Sequence, residues 1–454
     1  MNSPNGEDSI HYSLDGSDPK SGFLYEGSLE IQEQTTIRSV ILKHNHLPGY
    51  AQTAVFFEPD RYHLPVFSLS TNEEHLYGAT GIYTNYLSGG PLWERPASFS
   101  FYGSSKQFSS ITGIRIQGGN SVFMAKKAFR LHFRGGYGTS TLEASPFDRG
   151  PSSFKNLVLR SGYDDDITTS TGTLLRDPFS CELWNKLGEL ATESDFGVLL
   201  LNNNYWGIYN IRESINEYFI QDNMGITDFD LVRFQKWGPD LKYGTMDTWN
   251  QLLAYFDSTD FSRPEVFDEV SSFMDMNSLL NLLSLVHCSQ FRSWTWGAFM
   301  VKPRGGKWSW TIWDTDRSYN TLSWNGFTDY ANTSAEKCPN FIAQKLIRNE
   351  QFSRQLINRN CDLLNSLFDT SHIVGIYDSL VAVVEPEMAA EFDRWNSGNL
   401  SRWAQNNENI RNFLRHRPSY VYNQMKAYFQ IEDTVSITVR IEGKGKVKLN
   451  SLII

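Results

Sequence analysis

Two carboxylates one residue apart close the segment Lys307-Trp308-Ser309-Trp310-Thr311-Ile312-Trp313-Asp314-Thr315-Asp316-Arg317-Ser318. Trp, Ile and Thr favour a pleated, half-buried surface and Asp does not, so Asp314 and Asp316 mark the end of a strand. Alternate residues of a strand share a face. Two carboxylates held that way repel each other unless a cation or a basic side chain lies between them. A hard, oxygen-seeking ion such as Mg²⁺ suits such a pair. The plainer alternative is a salt bridge to Arg317 or a turn capped by Asp. Other clusters carry weaker signals. Asp164-Asp165-Asp166 is an acidic turn that reads as a cation site or as a solvated loop. Gly118-Gly119-Asn120-Ser121 could form a backbone nest over a phosphate, but it lacks Walker spacing and also reads as a plain turn. Arg160, and Arg176 with Asp177, read as structural ion pairs at element ends.

The elements that must position these groups change character along the chain. Residues 9–57 alternate in short stretches (Ile10–Leu14, Leu29–Ile31, Thr36–Leu42, Thr53–Phe57) separated by turn residues such as Asp15-Gly16-Ser17-Asp18-Pro19. That pattern predicts a small β-sandwich over residues 1–60. Strands are expected at 64–70, 81–83, 97–102, 113–117, 128–134 and 157–160. Helices are expected from residue 173, with a hairpin at 196–211 and helices at 215–223, 246–256 and 264–274. A long helix capped by Asp275 should run to about Gln290. A second hairpin, 296–301 with 307–313, carries the Trp-rich strand. Residues 341–428 are dominantly helical, and strands return at 435–441 and 447–450. The main body is therefore expected over 61–430, with a short β segment over 431–454. The fold class is α+β, with a helical C-terminal half.

Composition narrows the function. The 454 residues are 40% hydrophobic and 20% charged, with a formal net charge of -10. This disfavours a general nucleic-acid binder, which needs a basic face. No run of about 18 apolar residues predicts a membrane span. The polar start, Met1 to Asp8, lacks a signal-peptide core, so the chain is either cytoplasmic or follows a removed leader. Cys181, Cys288 and Cys361 sit in apolar, helix-like contexts and read as buried thiols. With Cys338 they form no Cys-x-x-Cys pair, and no structural zinc is expected.

The motif Tyr12-Ser-Leu-Asp-Gly-Ser-Asp-Pro19, then Tyr25 and Thr35-Thr-Ile-Arg38, resembles the chitobiase/hexosaminidase C-terminal type of β-module. Such modules are accessory and accompany secreted, surface-attached bacterial proteins. Over about residues 64–430 the chain resembles the CotH spore-coat kinase family, in the divergent form of large bacterial surface proteins. The motifs are Gly113-Ile-Arg-Ile-Gln-Gly-Gly-Asn-Ser121 with Lys126-Lys127-Ala-Phe-Arg130, Leu157-Val-Leu-Arg-Ser-Gly162 with Leu175-Arg-Asp177, Asn204-Tyr-Trp-Gly-Ile-Tyr-Asn-Ile-Arg-Glu213, and Trp313-Asp-Thr-Asp316.

The resemblance implies an atypical protein-kinase-like domain that uses ATP and a divalent metal to phosphorylate Ser and Thr of surface or coat proteins. It implies Lys127 as the phosphate-binding lysine, with Lys126 as its backup, and Glu213 as the acid that orients it. It implies Asp314 and Asp316 as metal ligands, with Asp316 also a candidate catalytic carboxylate. It implies a secreted or cell-surface location.

The chain departs from the family pattern at Gln290-Phe-Arg-Ser-Trp-Thr-Trp-Gly-Ala298. Ser293 stands where the family carries its catalytic Asp, and Gly297 or Ala298 stands near an expected Asn. Gln117-Gly118 likewise replaces an expected Arg-Gly. A serine cannot act as a carboxylate base at neutral pH. The pattern points to a weakened or inactive kinase. The rival reading is a non-catalytic surface module with a glycan or envelope-protein partner. A glycoside hydrolase fits less well, since Asp314 and Asp316 on one strand face lie too close to flank a sugar.

Overall fold

Alternating segments of the first half pair as antiparallel strands. Four of them, β1 (Ser9–Ser13), β2 (Phe23–Leu24), β3 (Thr35–Leu42) and β4 (Gln52–Phe56), form one sheet in the order β2-β1-β3-β4. The computed structural model describes residues 8–432 except 59, 236–237 and 333–338, together with 438, 440, 442–450 and 452–453. The Asp15–Pro19 turn is locked by its own side chains. Asp15 Oδ1 accepts the Ser17 N–H at 2.9 Å, and Asp18 Oδ1 accepts the Lys20 N–H at 3.0 Å. Asx turns of this kind fix a chain reversal at little entropic cost.

Seven further strands close into a barrel: β5 (Val66–Ser70), β6 (Arg95–Tyr102), β7 (Gln107–Gln117), β8 (Ala128–His132), β9 (Asn156–Arg160), β10 (Ser194–Leu201) and β11 (Asn204–Glu213). Their order is β10-β11-β9-β8-β7-β6-β5. β5 runs parallel to β10, with Val66 opposite Val198, and this pairing seals the barrel. Closure leaves no unpaired edge. Phe67, Phe99, Phe129, Leu131, Leu157 and Leu199 fill the interior. The strand expected at 81–83 is instead a turn. The Ile82 and Tyr83 N–H groups donate to the carbonyls of His75 and Leu76, so the backbone is satisfied locally.

Strands β12 (Phe229–Gln235), β13 (Gly238–Tyr243), β14 (Phe299–Pro303) and β15 (Ser309–Thr311) form a second, wholly antiparallel sheet in the order β13-β12-β14-β15. Helices surround it. The helix Met276–Ser289 begins where expected: Asp275 accepts the N–H groups of Asn277 and Ser278 at 3.0 and 3.2 Å. Leu279, Leu282, Leu283, Leu285 and Val286 are fully buried, and the buried Ser278, Asn281, Ser284 and His287 show that the helix is enclosed on its polar side as well. It stops at Gln290, whose φ of 61° is left-handed. The helices Glu350–Leu364, Thr370–Val384 and Leu400–Phe429 supply the C-terminal half. The architecture is α+β. The strand expected at 435–441 falls mostly outside the described residues, and Lys448–Leu449 pairs with Leu452–Ile453.

Two compact units result. Unit 1 comprises Met1–Leu174, Thr192–Phe219 and Ala382–Trp403; unit 2 comprises Leu175–Ala191, Ile220–Val381 and Ala404–Ile454. The boundary expected near residue 60 thus falls inside unit 1. Cys181 and Cys288 are buried and Cys361 is half-buried, with no disulfide among the described residues; Cys338 lies outside them. Among the described residues, no helix is long and apolar enough to cross a membrane.

Candidate functional site

In unit 1 the two adjacent lysines before β8 meet different surroundings. Lys126 is 2% exposed. Its Nζ lies 2.5 Å from Glu391 Oε1, 3.8 Å from Asp166 Oδ2 and 5.2 Å from the centre of the Tyr209 ring. Glu391 comes from the helix Met388–Trp395 and is fully buried. Its second oxygen accepts the Ile208 N–H at 2.6 Å. Glycine at 207 permits this approach. Its φ is +109°, and a Cβ there would lie 2.4 Å from Glu391 Oε2. Burial pushes the Glu391 carboxyl above its usual range, Lys126 pulls it back, and Asp166 raises it again. Asp166 Oδ1 accepts from the N–H and hydroxyl of Thr168, while Oδ2 is buried without a hydrogen bond. The acidic turn is therefore largely internal, not a solvated loop: Asp165 holds Thr173, and Asp166 faces the ammonium of Lys126.

Lys127 does something else. Its Nζ donates to the carbonyls of Val122 at 2.7 Å and Met124 at 2.9 Å, and it lies 4.2 Å from the centre of the Tyr86 ring. It staples the short helical turn Asn120–Phe123, into which the glycine-bearing loop leads. Burial lowers its pKa. Among the described residues no carboxylate lies in ion-pair range of it. Glu213, the last residue of β11, accepts the Glu193 N–H at 2.8 Å. The expected Lys127–Glu213 pair is not formed, and Lys126–Glu391 takes that form instead. Both lysines precede β8, with Lys126 in a bend, so the course of that bend and not strand alternation sets which of them meets the acid. Glu391 went unnoticed in the sequence. The available signal was one acid on the apolar face set by Met388 and Phe392, where an unpaired carboxylate is rarely tolerated.

In unit 2 the Trp-rich segment buries Trp308, Trp310, Thr311 and Ile312. β15 ends at Thr311, so strand geometry does not carry through to the two aspartates. Asp314 has a φ of 66°, a left-handed conformation that Asp tolerates better than most residues. Its side chain is 44% exposed, with Oδ2 3.9 Å from Arg233 Nη2, whereas Asp316 is buried. The face-sharing pair expected from alternation is broken by the turn at Asp314.

Ser293, Asp177 and Gly297 brace that turn. Ser293 Oγ donates to the Asp314 carbonyl at 2.9 Å. Asp177 Oδ1 accepts the Thr315 N–H at 3.0 Å and its hydroxyl at 3.1 Å. Gly297 packs on Trp313, where a Cβ would lie 2.4 Å from the carbonyl oxygen. Ser293 is thus a buried brace of the aspartate turn. A carboxylate at 293 would set an acceptor against that carbonyl. Asp177 also proves to be a positioning group, a role its place at a helix start did not disclose. Among the described residues no three His, Cys, Asp or Glu side chains gather into a metal-holding group. Mg²⁺ in phosphoryl-transfer sites is ordinarily held by one or two carboxylates plus the substrate's phosphates, so a protein cage is not the relevant standard.

Residues 114–421 match the CotH kinase protein family. The chain belongs to that family. Residues 1–51 match the Fn3 associated family, in agreement with the N-terminal β-module. No curated protein matches the CotH-family chain.

Proposed function

We propose that this CotH-family chain is a secreted or surface-displayed bacterial protein whose kinase-like domain binds ATP with a divalent metal such as Mg²⁺ and transfers phosphate weakly or not at all. The observation that carries the reading is the buried Lys126–Glu391 pair. Kinase sites need a lysine fixed by a glutamate to meet nucleotide phosphates. Burying such a pair gains little stability over apolar packing, so stability alone does not account for it. Lys126, rather than Lys127, takes the phosphate-side role. Asp314 and Asp316 serve the metal: the half-exposed Asp314 carboxylate is a hard oxygen donor, which suits a hard cation. Ser293 limits transfer, because no carboxylate stands there to accept a hydroxyl proton. Acceptors would be Ser and Thr of surface or coat proteins.

A second reading, a non-catalytic module binding a glycan or envelope protein, is favoured by the commitment of the Ser293 hydroxyl to the Asp314 carbonyl. Calorimetric titration with Mg²⁺-ATP tests the first reading. Wild type should give heat, and Lys126→Met and Asp314→Ala, checked for folding by thermal melting, should give none. No heat from wild type removes the nucleotide site. Radiolabelled ATP with generic protein substrates then separates the readings: strong Asp314-dependent labelling would exclude the non-catalytic module.

A further inference from the structure

Within unit 1 a cleft of about 560 Å³ opens between the N-terminal sheet and the barrel; its lining includes Asp18, Arg38, Tyr50, Asn72, Glu74 and His75. Volumes of this size suit a small ligand. Arg38 is its fixed point. Nη1 alone takes three acceptors: the Gly16 carbonyl at 3.0 Å, the Ser17 carbonyl at 3.1 Å and Asn72 Oδ1 at 3.0 Å. Nε is buried without a partner, and among the described residues Nη2 makes no hydrogen bond. The guanidinium is therefore pinned at one corner, its Nε is closed off from solvent, and its Nη2 is the donor left unspent.

Acceptors stand beside it. Asn72 Nδ2 bonds Asp18 Oδ2 at 2.8 Å and Glu74 Oε1 at 3.2 Å, fixing both carboxylates. Thr71 gives its only hydroxyl proton to the Pro96 carbonyl at 2.6 Å, so the 2.8 Å contact with His75 must be donated by His75 Nδ1. His75 Nε2 is then an acceptor without a partner among the described residues. Tyr50 supplies an apolar face. Its hydroxyl is tied to the Gly136 carbonyl at 3.0 Å, its ring packs 6.0 Å from that of Tyr137, and it stays 46% exposed.

Charge selects the ligand. Arg38 and Lys20 are offset by Asp18 and Glu74 along the same lining. An anion would meet two carboxylates, and a cation two bases. Fixed donors interleaved with fixed acceptors beside an aromatic face suit vicinal hydroxyls on a neutral ring. We propose that this cleft binds a neutral sugar. The inference does not rest on the nucleotide reading.

The test is saturation-transfer NMR on the full chain with glucose, galactose, mannose, N-acetylglucosamine, cellobiose and lactose, with galacturonate and inorganic sulfate as charged probes. At least one neutral sugar should show transfer and remain bound when Mg²⁺-ATP is added. Tyr50→Ala, a surface change that should not unfold the chain, is expected to weaken that sugar about tenfold, a change of about 1.4 kcal/mol. Arg38→Lys, with folding checked by melting, should do the same by removing the fixed Nη2 donor. Three results would overturn the proposal: no neutral sugar bound, galacturonate or sulfate bound in preference, or binding unchanged in Tyr50→Ala.

Discussion

The lysine centre of unit 1 and the aspartate turn of unit 2 are organised by opposite means. In unit 1 the charges themselves are buried, and side chains compensate one another: Lys126 against Glu391 and Asp166, beneath the Tyr209 ring. In unit 2 the key carboxylate of Asp314 remains half-exposed, and its backbone is what the fold restrains, through Ser293, Gly297 and the Asp177–Thr315 bonds. A glycine serves each arrangement. Gly207 lets a carboxylate approach a backbone amide, and Gly297 lets a helical turn approach a carbonyl. One region is therefore ordered by charge compensation and the other by loop conformation.

The largest expected effect breaks the compensation. Glu391→Ala leaves the Lys126 ammonium buried with only Asp166 nearby, and should cost about 3–5 kcal/mol in urea unfolding. Asp314→Ala, half-exposed and with its Arg233 partner at 3.9 Å, should cost less than about 1 kcal/mol. Equal losses would erase the contrast between the regions.

Next comes Gly297→Ala. The new methyl would collide with the Trp313 carbonyl and should cost about 1–3 kcal/mol, as overpacking does. Because it displaces the aspartate turn, it should also weaken Mg²⁺-ATP binding; an unchanged melting temperature and unchanged calorimetric heat would show that the turn is not held there.

A pH titration treats both units alike. His132 in unit 1 and His287 in unit 2 are each pushed down to about 3, first by burial and then by neighbouring arginines; for His287 a hydrogen bond with Asn360 partly opposes this. The folded value is depressed below the unfolded 6.5. Their contribution is therefore full above about pH 6.5 and is lost as pH falls towards 3, by at most about 1.4 kcal/mol per pH unit for each histidine. Between about pH 6.5 and 5, His132→Gln and His287→Gln should each make the slope shallower. A slope that either replacement leaves intact would refute the assignment.

Ser293→Ala removes one hydrogen bond to Asp314 and should cost about 1 kcal/mol, close to the small loss expected of Asp314→Ala. Its companion, Ser293→Asp, should lower stability further and add no phosphotransfer. Restored labelling in that variant would mean that the turn accepts a carboxylate after all.

Much of the local structure was legible in the sequence. The hairpins, the Asp275 cap and the C-terminal helices follow from patterns that local physics enforces. The barrel did not follow, because its closing contact is a parallel pairing between β5 and β10, far apart in sequence and without a turn motif to announce it. The site was legible at its residue types and not in their partners. The doublet Lys126-Lys127 was found, yet which lysine meets an acid is set by the bend before β8, whose course the residue types do not announce. The aspartate pair was found, yet strand alternation failed where Asp314 adopts a left-handed backbone.

The two partners of the buried lysine pair stand 265 residues apart. At about 5–20 residues per second, a ribosome completes Glu391 on the order of ten to fifty seconds after Lys126. The last barrel strand ends at Glu213, long before that acid exists. During synthesis the nearly finished barrel must therefore carry an ammonium whose principal counter-charge has not been made. The final assembly of unit 1 is thereby timed by translation, and a chain truncated before the helix Met388–Trp395 should stall as a partly open barrel that chaperones retain.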